Sequence, residues 1–212
     1  MAETRELYDA ILNGDAKSAI RLTRKALDER CDPLGLVTGS MVPAMDEVGR
    51  RFASQEFYVP DLLLAGRAMK GALELVRPLL SAGAAHPSGK VVIGTVKGDL
   101  HDIGKNLVAS MLEGGGFEIF DLGVDVPAAQ FIAAVRKTNA GVVALSALLT
   151  TTLPAMKTVV EAFQQAGIRD QVKIMIGGAP ATRQYAAEIG ADAYCKDAVS
   201  AVETARTLVG KG

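Results

Sequence analysis

Residues 97–106 read KGDLHDIGKN and follow directly on the apolar run VVIGTV. The segment sets His101 between two acids, Asp99 two positions before it and Asp102 immediately after, with Gly98 and Gly104 to either side. His101 is one of only 2 histidines in 212 residues, so its place at the hand-over from strand to helix invites a chemical reading. An imidazole that binds a metal through one ring nitrogen usually donates its other N–H to a carboxylate, which fixes the tautomer and tunes basicity. Asp99, on a tight loop, is within reach of that second nitrogen. A lone histidine does not build a protein-only metal site, since zinc takes about three or four protein ligands. It can supply one axial ligand to a metal already held by a haem-like or corrin-like macrocycle.

Other uses of the same residues compete. Asp99 or Asp102 can cap the following helix, Gly104 can ease packing, and His101 can be a plain exposed loop residue. Gly98 to Gly104-Lys105 also has the outline of a phosphate loop. Five residues separate those glycines where four are required, and Asn106 stands where Ser or Thr would hold magnesium. No GxGxxG occurs, and an Asp and a His are the wrong chemistry beside a polyphosphate. A receiver domain needs a phosphoacceptor aspartate. The third apolar run ends Leu145-Ser146-Ala147-Leu148, without an acid.

The elements that must position this loop come from the second half of the chain, where strand and helix patterns alternate. VVIGTV, EIFDLG, VVALSA, VKIMIGG and a short AYC have strand length and apolar or β-branched character. KNLVASMLEGG, AAQFIAAVRKTN, LPAMKTVVEAFQQAG, ATRQYAAEIG and a last segment from about Val199 to Val209 have helical spacing. Such alternation predicts a parallel five-stranded sheet with helices on both faces, an α/β Rossmann-like (flavodoxin-like) fold. Ligands in such folds bind outside the carboxyl ends of the strands where strand order reverses. KGDLHDIGKN leaves the first strand at that edge.

From residue 3 to about 82 only helical spacing occurs, which predicts an all-α four-helix bundle ahead of the sheet. Leu7, Ile11 and Leu12 share one face of a first helix that Asn13-Gly14 stops. Asp15 caps a second, with Ala19, Leu22, Ala26 and Leu27 inward. Asp32-Pro33 opens a third that carries Leu34, Val37, Met41, Met45 and Val48 and bends at Pro43. A fourth begins near Pro60 and runs through Leu63, Met69, Leu73 and Val76 to Leu80. Between the halves, SAGAAHPSGK (81–90) breaks all periodicity. The expected domains are a bundle over 1–82, a linker over 83–89 and an α/β domain over 90–212.

Composition narrows the function classes. A formal net charge of -1 and a pI near 6.1 offer no electrostatic footprint for nucleic acid or an anionic membrane. MAETRELYDAILNGDAK is acidic and amphipathic where a signal peptide would be basic and then apolar. No run approaches the roughly 20 apolar residues of a spanning helix, so a cytoplasmic location is expected. Cys31 and Cys195 are too few and too far apart for a disulfide framework or a zinc site.

Three motifs at three successive strand ends carry a resemblance. Asp99-x-His101-x-x-Gly104, Ser146-x-Leu148 and Gly177-Gly178 resemble the DxHxxG, SxL and GG signature of base-off/His-on cobalamin-binding domains. DLHDIGKNLV is similar to the methyl-carrying branch, namely methionine synthase and the corrinoid proteins of methanol, methylamine and methoxy-aryl methyltransferase systems. SMVPAMDEVGRRFASQEFYVPDLLLAGRAMK resembles the bundle that caps methylcobalamin in that branch. The resemblance runs from about residue 5 to 210 and corresponds to a freestanding corrinoid protein.

The resemblance implies a site. His101 would be the lower axial ligand of cobalt and Asp99 its hydrogen-bond partner, with Thr152 where methionine synthase has the serine that extends the relay. Ser146, Leu148 and Thr150 would meet the buried nucleotide, Gly104, Gly177 and Gly178 would leave it room, and Ala198 would lie in the segment closing over it. Gly98, Leu100 and Asp102 would line the loop beneath the corrin. Tyr58 would face the methyl group from the cap, or else belong to ordinary bundle core.

It also implies a function, a methyl carrier whose cobalamin alternates between cob(I)alamin and methylcobalamin. The partners would be a substrate-specific methyltransferase, a second methyltransferase with a tetrahydrofolate or thiol acceptor, and a reductive activator, with no nucleic acid or membrane. Such a chain is a methyl-carrying subunit rather than a complete enzyme. From another class, a cobalamin sensor or storage protein with a regulatory partner fits the same cofactor, as does a relative that has lost it.

Overall fold

The computed structural model describes residues 2–79 and 88–210. By its internal contacts the chain forms two compact units, Met1–Pro87 with Ser110–Gly116, and Ser88–Ala109 with Phe117–Gly212. Most of the expected linker, 83–87, and Leu80 lie outside the described residues.

The first unit is helical. α1 (Ala2–Leu12) ends at Asn13-Gly14, where Gly14 takes φ 70° and a Cβ would come within 2.5 Å of Leu64 Cβ. The turn therefore requires glycine twice over, for its left-handed backbone and for close approach. α2 (Ala16–Asp28) begins at Asp15, whose carboxylate accepts the Ser18 N–H at 3.0 Å. Asp32 caps α3 (Pro33–Leu36) by accepting the Gly35 N–H at 2.8 Å, with Pro33 at the first position.

The third predicted helix is continuous to Ala53 but not uniform. Val37–Met41 form a π turn, in which the Val42 N–H reaches back to the Val37 carbonyl, before α4 (Val42–Ala53) resumes the α register. The interruption expected at Pro43 thus lies just before it. An α register would set the proline ring against the Gly39 carbonyl and leave that carbonyl without a donor, and a wider turn relieves the clash. α5 (Val59–Val76) is followed by a 3₁₀ turn, Arg77–Leu79.

Leu7, Ile11, Met41, Met45, Leu62 and Met69 are fully buried in this unit. Of the apolar positions at helical spacing, Leu34 and Leu63 are exposed, and within the leucine run of α5 the buried position is Leu62. A run of three leucines, 62–64, satisfies helical spacing in more than one phase, so periodicity alone cannot choose the inward one.

The second unit is a five-stranded parallel sheet in the order β2-β1-β3-β4-β5, built from β1 (Lys90–Thr95), β2 (Glu118–Asp121), β3 (Val142–Ser146), β4 (Lys173–Gly177) and β5 (Ala193–Cys195). α6 (Ile103–Gly114, whose last turn from Ser110 is grouped with the first unit), α7 (Ala128–Thr138), α8 (Leu153–Gln165), α9 (Arg183–Ile189) and α10 (Ala198–Val209) alternate with the strands along the chain. This is the Rossmann-like, flavodoxin-like order, and strand order reverses between β1 and β3. Both faces of the central strands are covered, which is why they read as unbroken apolar runs. Val92, Val143, Ile174 and Ile176 pack with Phe131, Met156 and Phe163 from the helices.

Register aligns the carboxyl ends. Thr95 pairs with Ser146, Ser146 with Gly177, and Gly177 with Cys195. A row of small side chains therefore crosses four strands at the edge where the fold class binds ligands.

Candidate functional site at the carboxyl edge of the sheet

β1 ends at Thr95, and the chain turns through Gly98, whose φ of 85° favours glycine, before α6 starts at Ile103. The turn drives Asp99 into the protein, where it is 0% exposed, while Leu100, His101 and Asp102 stay exposed. A buried carboxylate must be fully hydrogen-bonded, and Asp99 is. Its Oδ1 accepts the His101 Nδ1–H at 2.7 Å and the His101 backbone N–H at 3.1 Å. Its Oδ2 accepts the Leu148 N–H at 2.8 Å, the Leu149 N–H at 3.4 Å and the Thr152 hydroxyl at 2.7 Å. Burial opposes its ionisation, but the Leu148 N–H, the Thr152 hydroxyl and His101 outweigh that and hold the carboxyl well below the usual carboxylate range.

The ionised Asp99 can only accept, so the His101 tautomer follows: Nδ1 carries the proton and Nε2 has the lone pair. The imidazole is half exposed, and no described residue hydrogen-bonds Nε2. Thr152, just before α8, is buried and bonds both Asp99 and the Leu149 carbonyl, at 2.9 Å. Its methyl lies toward Gly98, since a Cβ built there would sit 3.8 Å from Thr152 Cγ2. The hydroxyl and methyl therefore point to different neighbours.

Gly98, Asp99, His101, Leu148 and Thr152 thus converge across the β1–β3 switch point. Ser146 ends β3, its carbonyl accepting the Val96 N–H at 3.0 Å. Leu148 and Thr150 follow on the exposed loop, and Ala198 is the buried first residue of α10. Asp102 turns its carboxylate to the Asn106 amide at 3.1 Å. Tyr58 belongs to the helical unit, where it precedes α5 and is 65% exposed. The reading of Tyr58 as bundle core is corrected.

The glycines separate by cause. A Cβ on Gly178, at φ 123°, would stand 1.9 Å from the Ala147 carbonyl oxygen, and one on Gly177 would stand 3.2 Å from the Cys195 carbonyl. Backbone crowding is reason enough for Gly178. At Gly104 a Cβ would meet nothing within 4 Å among the described residues, so none of them demands glycine there.

Sequence reasoning passed over several residues that hold this loop. Thr95, fully buried, donates to the His101 carbonyl at 2.8 Å. Asp125 accepts the Gly98 N–H at 2.7 Å, and its own N–H donates to the Asp99 carbonyl at 2.9 Å. Lys105 is buried and donates to Asp121 and Asn106. An acid such as Asp125 in a turn after a strand has the ordinary look of turn chemistry, and only its left-handed φ of 54° marks it out in three dimensions.

The donor set fits an axial role in a macrocycle-held metal. No group of three or more His, Cys, Asp or Glu able to hold a metal ion occurs among the described residues, whereas one oriented, accessible imidazole nitrogen does. Among the described residues no helix is long and apolar enough to cross a membrane.

Fold and site together define a two-part corrin-binding protein, with a helical module ahead of a Rossmann-like one. Residues 89–205 match the B12 binding domain family, and residues 4–77 match a second B12 binding domain family. The chain is 40% identical over 206 residues to the dimethylamine corrinoid protein of Methanosarcina barkeri, covering 97% of this chain and 96% of that one. It superposes on a cobalamin-binding protein of Desulfitobacterium hafniense with a TM-score of 0.79 at 32% identity, covering 99% and 100% of the two chains. For the methanol:cobalamin methyltransferase complex of M. barkeri the TM-score is 0.89 at 26% identity, covering 100% of this chain and 81% of that one. The chain belongs to the B12-binding family, its cofactor is cobalamin, and it is a corrinoid protein of the kind found in methyltransferase systems.

Proposed function

We propose that this protein carries methyl groups on cobalamin bound base-off, with His101 as the lower axial ligand, between a substrate-specific methyltransferase and a second methyltransferase. Bound cobalamin supplies a cobalt centre that accepts a methyl group in one reaction and gives it up in another. The protein's part is to hold, orient and admit. One observation carries the reading: buried, ionised Asp99 fixes the proton on His101 Nδ1 and leaves Nε2 accessible as an electron-pair donor.

Asp99 and Thr152 make that donor adjustable. The Asp99 carboxylate accepts from His101 and Thr152 at opposite oxygens, so charge on the imidazole and charge on the carboxylate are linked. Proton movement along this line changes the basicity of Nε2. Gly104, Ser146 and Thr150 offer open space and hydroxyls along the sheet edge for the nucleotide, with Gly177, Gly178, Leu148 and Ala198 forming the surrounding backbone and apolar wall. Gly98, Leu100 and Asp102 shape the loop that presents His101, and exposed Tyr58 serves as the aromatic face of the helical module.

The donor belongs to the partner enzyme, and likeness to a dimethylamine corrinoid protein makes a methylated amine the first to try. The acceptor would be tetrahydrofolate or a thiol, and a reductive activator would rescue oxidised cofactor. The test is electron paramagnetic resonance of the cob(II)alamin-loaded protein. Labelling histidine with ¹⁵N should turn the ligand splitting from triplets to doublets, His101→Ala should abolish it, and His86→Ala should leave it intact. Splitting insensitive to the label removes His101 from the metal.

A further inference from the structure

We propose that Lys105 and Asp121 form a positioning ion pair that presets the histidine loop before cobalamin arrives. Its purpose rests on the reading of His101 as axial ligand, while the device itself rests on geometry. Among the described residues Lys105 is the one buried lysine, its side chain 2% exposed, and its ammonium donates to Asp121 Oδ2 and to Asn106 Oδ1, the latter at 2.7 Å. Taking an ammonium out of water is costly even when it is paired, and an apolar side chain of similar volume would fill the same place at less cost. The pair should therefore be justified by what it holds.

What it holds is the backbone on either side of the His101–Asp102 peptide. In one direction Asn106 donates its side-chain amide to Asp102 Oδ2 at 3.1 Å and its backbone N–H to the Asp102 carbonyl at 2.7 Å. In the other, Asp121 Oδ1 accepts the Gly123 N–H at 2.8 Å, the Gly123 carbonyl accepts the Thr95 N–H at 3.0 Å, and Thr95 Oγ1 donates to the His101 carbonyl at 2.8 Å. The contacts run from Asp102 through the first turn of α6 to the end of β2, and return through β1 to His101. Asp99 orients the ring from the β3–α8 side, whereas this circuit fixes the main chain from the β2–α7 side. Lys105 is a positioning residue, four places from the imidazole and without contact to it.

The test uses Lys105→Met alone and combined with Asp121→Asn, which removes both charges and leaves an oxygen for the Gly123 N–H. In cofactor-free protein, amide exchange at His101 and Asn106 should accelerate by about tenfold or more, while the Ile174 amide in β4 keeps its wild-type rate. A merely structural loss would speed all three. After reconstitution, the histidine-ligated fraction should fall in both variants, read from the ¹⁵N-histidine splitting. Exchange at His101 and Asn106 within about twofold of wild type, or an unchanged ligated fraction against a histidine-ligated wild type, overturns the proposal. If wild-type cobalamin shows no histidine splitting, the axial reading fails by itself, and the exchange rates alone decide for or against the preset loop.

Discussion

Asp99 and Thr152 are 53 positions apart in the chain and 2.7 Å apart in space, carboxylate oxygen to hydroxyl. That bond ties the loop leaving β1 to the loop leaving β3, across the point where strand order reverses. Because the other Asp99 oxygen holds the His101 ring, one buried carboxylate joins both loops to the imidazole.

Asp99→Asn should be destructive despite its near-identical shape. Both oxygens face donors, two groups from His101 at Oδ1 and three at Oδ2, so the new amide NH₂ confronts a donor whichever way it turns. The loss should be about 2–3 kcal/mol in urea denaturation of cofactor-free protein, the range for charge-assisted bonds left unmade in a buried place. The imidazole also loses its reason to keep the proton on Nδ1, so nitrogen NMR of His101 should show mixed tautomers. A stability within about 0.5 kcal/mol of wild type, the usual surface-substitution range, would show that the carboxylate is not the keystone.

The same carboxylate predicts an acid-side weakness with a definite sign. Its folded-state pKa is depressed, so the folded protein resists protonation there and the unfolded chain does not. The contribution of Asp99 to stability is complete above the unfolded pKa, about 3.9, and is lost as pH falls below it toward the folded value. Wild type and Asp99→Asn should therefore converge as pH falls below about 4. A difference that grows over that acid range contradicts the assignment.

Much of this was legible in sequence because it is periodic or clustered. The parallel sheet follows from alternation, and His101 with Asp99 from two residues on one tight loop. The rest depends on registers that no local pattern encodes. Thr95 reads as one more β-branched strand residue until its pairing partner is known, and the joining of Lys105 to Asp121 needs β2 to lie beside β1. Leu62–Leu64 shows the opposite failure, where the pattern fits too many phases. At Pro43 the sequence points to a bend, whereas the irregularity in the helix is the π turn just before it, since the clash is with a carbonyl four residues back.

Thr152 separates hydroxyl from methyl. Thr152→Val keeps the shape but withdraws the donor from Asp99 Oδ2, which should cost about 1.5–3 kcal/mol and weaken His101 ligation in the loaded protein. Thr152→Ser keeps the donor and discards only the methyl near Gly98, so its stability loss should stay near the ~1 kcal/mol typical of one buried methyl, with ligation unchanged. Urea melts together with the ¹⁵N-histidine splitting distinguish the two. If serine behaves like valine, packing rather than the hydroxyl is what Thr152 contributes.

Gly104 and Gly178 should respond in opposite senses to the same added methyl group. At Gly178 alanine meets the Ala147 carbonyl and a left-handed φ, and the strain should lower stability by about 3 kcal/mol or more. At Gly104, in the first turn of α6, a Cβ meets no atom of the described residues within 4 Å. Alanine there restricts the unfolded chain and should stabilise cofactor-free protein by about 0.4–1 kcal/mol. If the open space receives the cobalamin nucleotide, Gly104→Ala must also weaken cobalamin binding, measured by titration of the same protein. A variant that is both more stable and as tight a binder would place the nucleotide elsewhere along the sheet edge.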